Sequence, residues 1–127
     1  MAAILVVDDA KFLRITLRKL LEKDNHEVVG EAKNGKEAIT LYKNLSPDLV
    51  IMDLTMPVMN GIDAMKAIME IDSKANIIVC SAIGEQKVVV QAIEAGGKDF
   101  ILKPFEESRI LETVRRVLEN FHLANMV

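Results

Sequence analysis

The chain predicts an α/β domain: a (βα)5 doubly wound parallel five-stranded sheet lying between two layers of helices, three layers in all. Two observations carry this. Five short runs rich in β-branched residues alternate with five segments of helical period, and three of the runs are apolar almost throughout. A strand reads that way when both of its faces are covered, which is the habit of parallel sheets. The 127 residues suit one domain with one core, and no Pro/Ser-rich linker or internal repeat divides them.

The first run, AILVV (Ala3–Val7), is followed by a stripe of Leu13, Leu17, Leu20 and Leu21 at i, i+4, i+7, i+8, the spacing of one helix face. The second, EVVGEA (Glu27–Ala32), is the most polar of the five and suits a sheet edge. Ala38, Tyr42 and Leu45 mark the next helix, and Asn34 with Glu37 three residues on forms a variant capping box before it. The third run, DLVIM (48–52), leads to a helix with Ile62, Met65 and Met69 inward, opened by Asn60 and Asp63 in the same relation. The fourth, NIIVC (76–80), leads to a helix in which Val89, Val90 and Ile93 are expected to face the core and Val88 and Ala92 to face out. Three β-branched residues in a row, Val88 to Val90, lower the propensity of that helix. The fifth run, DFIL (99–102), is followed by the longest stripe: Ile110, Val114, Val117, Leu118 and Phe121. Glu106 and Glu107 open that helix and Arg115 and Arg116 lie toward its end, the order the helix dipole favours. The domain is assigned to residues 1–121, with 122–127 as a short C-terminal tail.

Composition narrows the function. Charged residues of both signs make up 28% and the net charge is only −3, so nothing electrostatic argues for nucleic acid as a partner. The single cysteine, Cys80, can form no internal disulfide and lies in an apolar run, where a small buried hydrophobe is expected. No apolar run approaches a membrane span and no signal-peptide pattern opens the chain, so the expected location is cytoplasmic. His26 and His122 lack the spacing of metal ligands and are expected at the surface.

In open α/β sheets, function gathers at the carboxyl ends of the strands. Here the first strand ends in Asp8 and Asp9, the third in Asp53, the fourth in Ser81 and the fifth in Lys103. Three carboxylates at one edge repel one another, raising at least one pKa unless a cation sits among them. Mg²⁺ fits, being a hard ion that takes oxygen ligands and binds phosphates through one or two carboxylates. An Asp carboxylate is also a competent nucleophile toward phosphorus, and an ammonium stabilises charge on a transferring phosphoryl group. Taken singly, each residue has an ordinary structural role open to it: Asp8 and Asp9 as helix caps, Asp53 as a turn residue, Lys103 as a surface lysine, Phe100 as core packing.

The ordered segments LVVDDAKFLR, PDLVIMDLTMPVMNG, VCSAIG and EAGGKDFILKPF resemble the receiver domains of two-component response regulators, over essentially the whole chain. The resemblance implies a flavodoxin-like strand order, 2-1-3-4-5. It implies Asp53 as phosphoacceptor, and Asp8, Asp9, Asp53 and the backbone carbonyl of Thr55 as Mg²⁺ ligands. Ser81 becomes the switch hydroxyl, Phe100 the switch aromatic, and Lys103, before a cis bond to Pro104, the conserved amine. Such a protein is a phosphoacceptor switch, not an enzyme with a separate substrate. Its implied partners are a histidine kinase as phosphodonor, a target bound by the fourth helix, fifth strand and fifth helix, and a dedicated phosphatase. The lack of an output domain points within the family to stand-alone chemotaxis regulators, monomers whose target is the flagellar motor switch.

Three positions depart from the family pattern. Gly97 stands where a small residue with a Cβ is usual, which should loosen the approach to the fifth strand. Thr55 and Ile83, two residues past Asp53 and Ser81, stand where some relatives carry an amide and an acid, so the acyl-phosphate lifetime is this chain's own and Ile83→Glu should change it. The competing readings are a receiver of another pathway (a phosphorelay intermediate, or one cut from a transcription regulator), a haloacid-dehalogenase-type phosphatase, and a nucleotide or flavin domain. The phosphatase wants Asp-x-Asp where this chain has Asp8-Asp9, and no Gly-rich phosphate loop follows the first strand.

Overall fold

The chain enters through β1 (Ala3–Val7) and runs through α1 (Lys11–Lys23), β2 (Glu27–Ala32), α2 (Gly35–Leu45), β3 (Leu49–Asp53), α3 (Gly61–Ile71), β4 (Ile77–Ala82), α4 (Gln86–Glu94), β5 (Asp99–Lys103) and α5 (Glu107–Asn125). This is a computed structural model, and it describes residues 1–126. All strand pairs are parallel, in the order β2-β1-β3-β4-β5, the flavodoxin-like arrangement expected. The polar strand β2 is an edge, and β1, β3 and β4 fill the middle.

Alternation divides the core in two. Leu5, Val7, Val50, Met52, Ile77 and Val79 point to one face, covered by α2, α3 and α4 through Ala38, Tyr42, Ala64, Met65, Ile68 and Ala92. Ile4, Val6, Leu49, Ile51, Ile78 and Ile101 point to the other, covered by α1 and α5 through Leu17, Leu21, Ile110, Val114 and Val117. The central strands are buried on both sides, which is why their sequences carry no polar alternation.

The helix starts follow the caps. Asn34 accepts a hydrogen bond from Glu37 N–H at 2.9 Å, and Asn60 accepts one from Asp63 N–H at 3.0 Å. The Glu37 carboxylate reaches back to accept from Lys33 N–H at 3.0 Å, one residue beyond the cap N–H that a reciprocal box would use.

Four expectations need correction. On α4 the inward face is Val88, Val89 and Ala92, with Ala92 fully buried, while Val90 and Ile93 face outward. Ala92 is small enough to let the helix lie close to the sheet, so packing follows the small residue and not the bulkiest run. His26 is not at the surface: its imidazole is largely enclosed, Nδ1 accepts from Ala2 N–H at 3.2 Å, and burial holds its pKa below the usual value. Residues 122–125 continue α5. At Gly97 a Cβ would lie 3.1 Å from the Ala92 carbonyl oxygen, so the glycine fits a close approach to α4 where looseness was expected.

Candidate functional site

Three side chains reach the site by parity. Asp8 continues the Ile4–Val6 face of β1, Asp53 the Leu49–Ile51 face of β3, and Lys103 the Ile101 face of β5. Alternation in parallel register therefore delivers all three to the same side of the same sheet edge. Asp9, exposed at the mouth, completes a group in which Asp8, Asp9 and Asp53 each offer an oxygen within 4.8 Å of the others.

Two of these carboxylates are deeply buried: Asp8 is 1% exposed and Asp53 3%. Lys103 Nζ stands 3.0 Å from Asp8 Oδ2 and 3.3 Å from Asp53 Oδ2. The approach is at ion-pair distance but without hydrogen-bond alignment, so among the described residues both Oδ2 atoms lack a hydrogen-bond partner. The other oxygens are used locally: Asp8 Oδ1 accepts from Ala10 N–H at 2.9 Å, and Asp53 Oδ1 from Thr55 N–H at 3.4 Å. Half of Asp8 thus caps the turn into α1, and the other half is left free for the site.

Burial raises the Asp53 pKa from 3.8 to about 6, and the neighbouring Asp8 charge adds to it; Lys103 and the Thr55 N–H pull the other way without winning. Burial alone would lower Lys103, but Asp8 and Asp53 together outweigh it and hold the ammonium above its ordinary value. Cys80, next to this group, is pushed far up by burial and stays a thiol.

The remaining expected residues are placed less simply. Ser81 is buried at the end of β4, and among the described residues its Oγ has no hydrogen-bond partner. Lys103–Pro104 is cis, as expected. Thr55 is exposed, and its hydroxyl donates to Glu85 at 2.8 Å. Phe100 pairs in register with Val79 and is 39% exposed at the outer strand, away from any core cluster. A cavity of about 350 Å³ lined by Lys74, Lys98, Asp99, Arg116 and Phe121 lies at the opposite end of the sheet, where Asp99 already pairs with Arg116 at 2.7 Å.

Two contributors escaped the sequence reading. Arg14 donates to the backbone carbonyl of Asp8 at 2.6 Å while pairing with Glu31 at 3.1 Å, tying the acidic turn to α1 and β2. Glu85 bridges two loops, and its donors, Ala82 N–H first and then the Thr55 hydroxyl, hold its carboxyl below the usual range. Neither has a motif; their partners are set by tertiary contact alone.

The model of the response regulator receiver domain family matches residues 4–115. The chain belongs to that family: it is a receiver domain of a two-component system. Within the family it is CheY-like. It is 57% identical to the chemotaxis protein CheY of Thermotoga maritima over 90% of this chain and 95% of that one, and 54% identical to CheY of Bacillus subtilis over 91% and 96%. The B. subtilis protein CcdB is equally similar, at 54% over 93% of this chain and 98% of its own. Among solved structures, a CheX–CheY–BeF₃–Mg²⁺ complex from Borrelia burgdorferi matches with a TM-score of 0.87 at 35% identity, covering 91% of this chain and 87% of that one. No described helix is long and apolar enough to cross a membrane.

Proposed function

We propose that this receiver is a phosphorylation switch whose acceptor is Asp53. A histidine kinase's phosphohistidine would supply the phosphoryl group. The observation that carries the reading is the pair of buried oxygens, Asp8 Oδ2 and Asp53 Oδ2, that face each other's charge with an ammonium near but no hydrogen bond. Buried acceptors are ordinarily satisfied, and those that are not call for an ion or a reacting group. Asp8, Asp9, Asp53 and the Thr55 carbonyl would hold Mg²⁺, an all-oxygen donor set suited to it, and the ion would neutralise charge on the phosphoryl oxygens.

The chain's own groups account for the rest. With its pKa near 6, Asp53 is ionised at neutral pH and is available as the nucleophile. Lys103, already within 3.3 Å of Asp53, offers its ammonium to the charge that develops on the transferring group. The unpartnered Ser81 hydroxyl can donate to a phosphoryl oxygen once one arrives, and Phe100 at the outer strand would follow that movement. The outcome is a two-state surface on α4, β5 and α5, where Val90, Ile93, Phe100 and Leu102 are exposed. Nothing in this chemistry turns over a separate substrate.

The flagellar motor switch is the proposed target, a dedicated phosphatase a proposed partner, and the cytoplasm the proposed site of action. What supports this is similarity to CheY of several organisms. The test is labelling with acetyl phosphate and Mg²⁺. The chain should take up one phosphoryl group, and Asp53→Asn should take up none; stoichiometric labelling of that variant overturns the assignment.

A further inference from the structure

Glu85 is the residue before α4, and its carboxylate holds two segments at once. Oε1 accepts from Ala82 N–H at 2.6 Å and Oε2 from the Thr55 hydroxyl at 2.8 Å. Thr55 stands two residues beyond Asp53, and Ala82 stands next to Ser81. One side chain thus ties the loop after β3 to the loop after β4, on either side of the proposed acceptor. Helix capping does not account for it: Glu85 occupies the cap position of α4 but makes no side-chain bond to that helix.

The direction of the Ala82 N–H gives the contact its meaning. Along a strand, main-chain groups of alternate residues point to the same neighbour. The Cys80 carbonyl faces β3, where it accepts from Leu54 N–H at 3.1 Å, and Cys80 pairs in register with Asp53. Ala82, two residues on, therefore aims its N–H to the β3 side, past the end of that strand, where Asp53 ends. A donor so placed suits an anionic group attached to Asp53. In this structure the Glu85 carboxylate has taken it.

We propose that Glu85 is a latch on the unphosphorylated state: a positioning residue that occupies the Ala82 N–H and restrains Thr55, and that must be displaced when a phosphoryl group reaches Asp53. This rests on the reading of Asp53 as the acceptor. The arriving group is anionic, so it competes for the same donor and repels the carboxylate that holds it. Occupied latch and phosphorylated Asp53 exclude each other, and the strength of the latch sets how readily the switch fires. Glu85 lies outside both core clusters, so its replacement leaves the folded packing intact.

The experiment compares the full chain with Glu85→Ala and Glu85→Gln, with Asp53→Asn as reference. In the labelling step an Asp53 oxygen attacks the phosphorus of acetyl phosphate, the bond from phosphorus to the acetyl oxygen breaks, and acetate leaves with its electron pair. Glu85→Ala should label about five- to tenfold faster, the effect of removing hydrogen bonds to a charged acceptor, partly recovered through water. Glu85→Gln, with one acceptor oxygen in place of two, should fall between. In metal-free protein, amide exchange at Ala82 should be faster in Glu85→Ala, with the core amides unchanged. If Glu85→Ala labels no faster than the parent while Asp53→Asn stays unlabelled, the latch is overturned and the Asp53 reading stands. If Asp53→Asn labels like the parent, both fall.

Discussion

Burial holds the Asp53 carboxyl at a pKa well above that of a free aspartate, and that is measurable without any phosphodonor. Its pKa stands at about 6 against an ordinary 3.8, with burial the main cause and Asp8 the second. A folded-state pKa above the unfolded one means that folding takes up a proton between the two values. The associated stability is complete below about pH 4 and is lost as pH rises through about 6, by at most roughly 3 kcal/mol. Asp53→Asn keeps the shape and removes the charge. In metal-free urea melts it should be more stable than the parent by about 1–3 kcal/mol near neutral pH, and equal to it in acid. The difference between the two proteins is the quantity to follow, because Asp24, Glu31 and Glu85 have lowered pKa values and contribute an opposite slope in acid. Val58 makes a second case. It has φ of +69° in the loop after β3 and is 71% exposed, so a β-branched residue occupies left-handed backbone with no burial to offset it. Val58→Asn should raise stability by about 0.5–1 kcal/mol in the same melts, since Asn tolerates that region.

The helices show how far periodicity carries and where it stops. Leu17 and Leu21 on α1, Met65 on α3 and Ile110, Val114 and Val117 on α5 are buried as their spacing required. On α4 the pattern misled, because Val88 to Val90 cover more than half a turn and leave the face undetermined, while Ala92 carries too little apolar weight to signal itself. The corrected face can be tested directly. Ala92→Leu should destabilise by about 1–3 kcal/mol through overpacking against the sheet, whereas Val90→Lys should stay within about 0.5 kcal/mol. At the junction of β3 with α3 the constraint is space. A Cβ on Gly61 would lie 2.2 Å from the Asp53 carbonyl oxygen and 2.8 Å from Leu54 Cα, so Gly61→Ala must push on the backbone that aims Asp53. That variant should lose about 1–3 kcal/mol of stability and label more slowly with acetyl phosphate.

Taken together, the sheet turns a linear pattern into a site. The convergence of Asp8, Asp9, Asp53 and Lys103 was legible because each lies at the carboxyl end of a recognisable strand, whereas the strand order came only from the resemblance of the ordered segments to the family. The bridges made by Arg14 and Glu85 were not legible, because they reach to other strands and loops and no local spacing encodes them. Ile83, which the sequence reading did single out, is exposed in the loop after β4. Ile83→Glu should change the rate at which the acyl phosphate decays, read as loss of label after the donor is removed; an unchanged rate would contradict that role. For the acceptor itself, borohydride reduction of the labelled chain followed by peptide mapping locates the acyl phosphate, because reduction converts an aspartyl phosphate to homoserine. Homoserine should appear at position 53 alone, and only after Mg²⁺ and acetyl phosphate have been supplied. Homoserine at position 8 or 9 instead, or its absence from the β3 peptide of a fully labelled chain, would show that Asp53 is not the residue that takes the phosphoryl group.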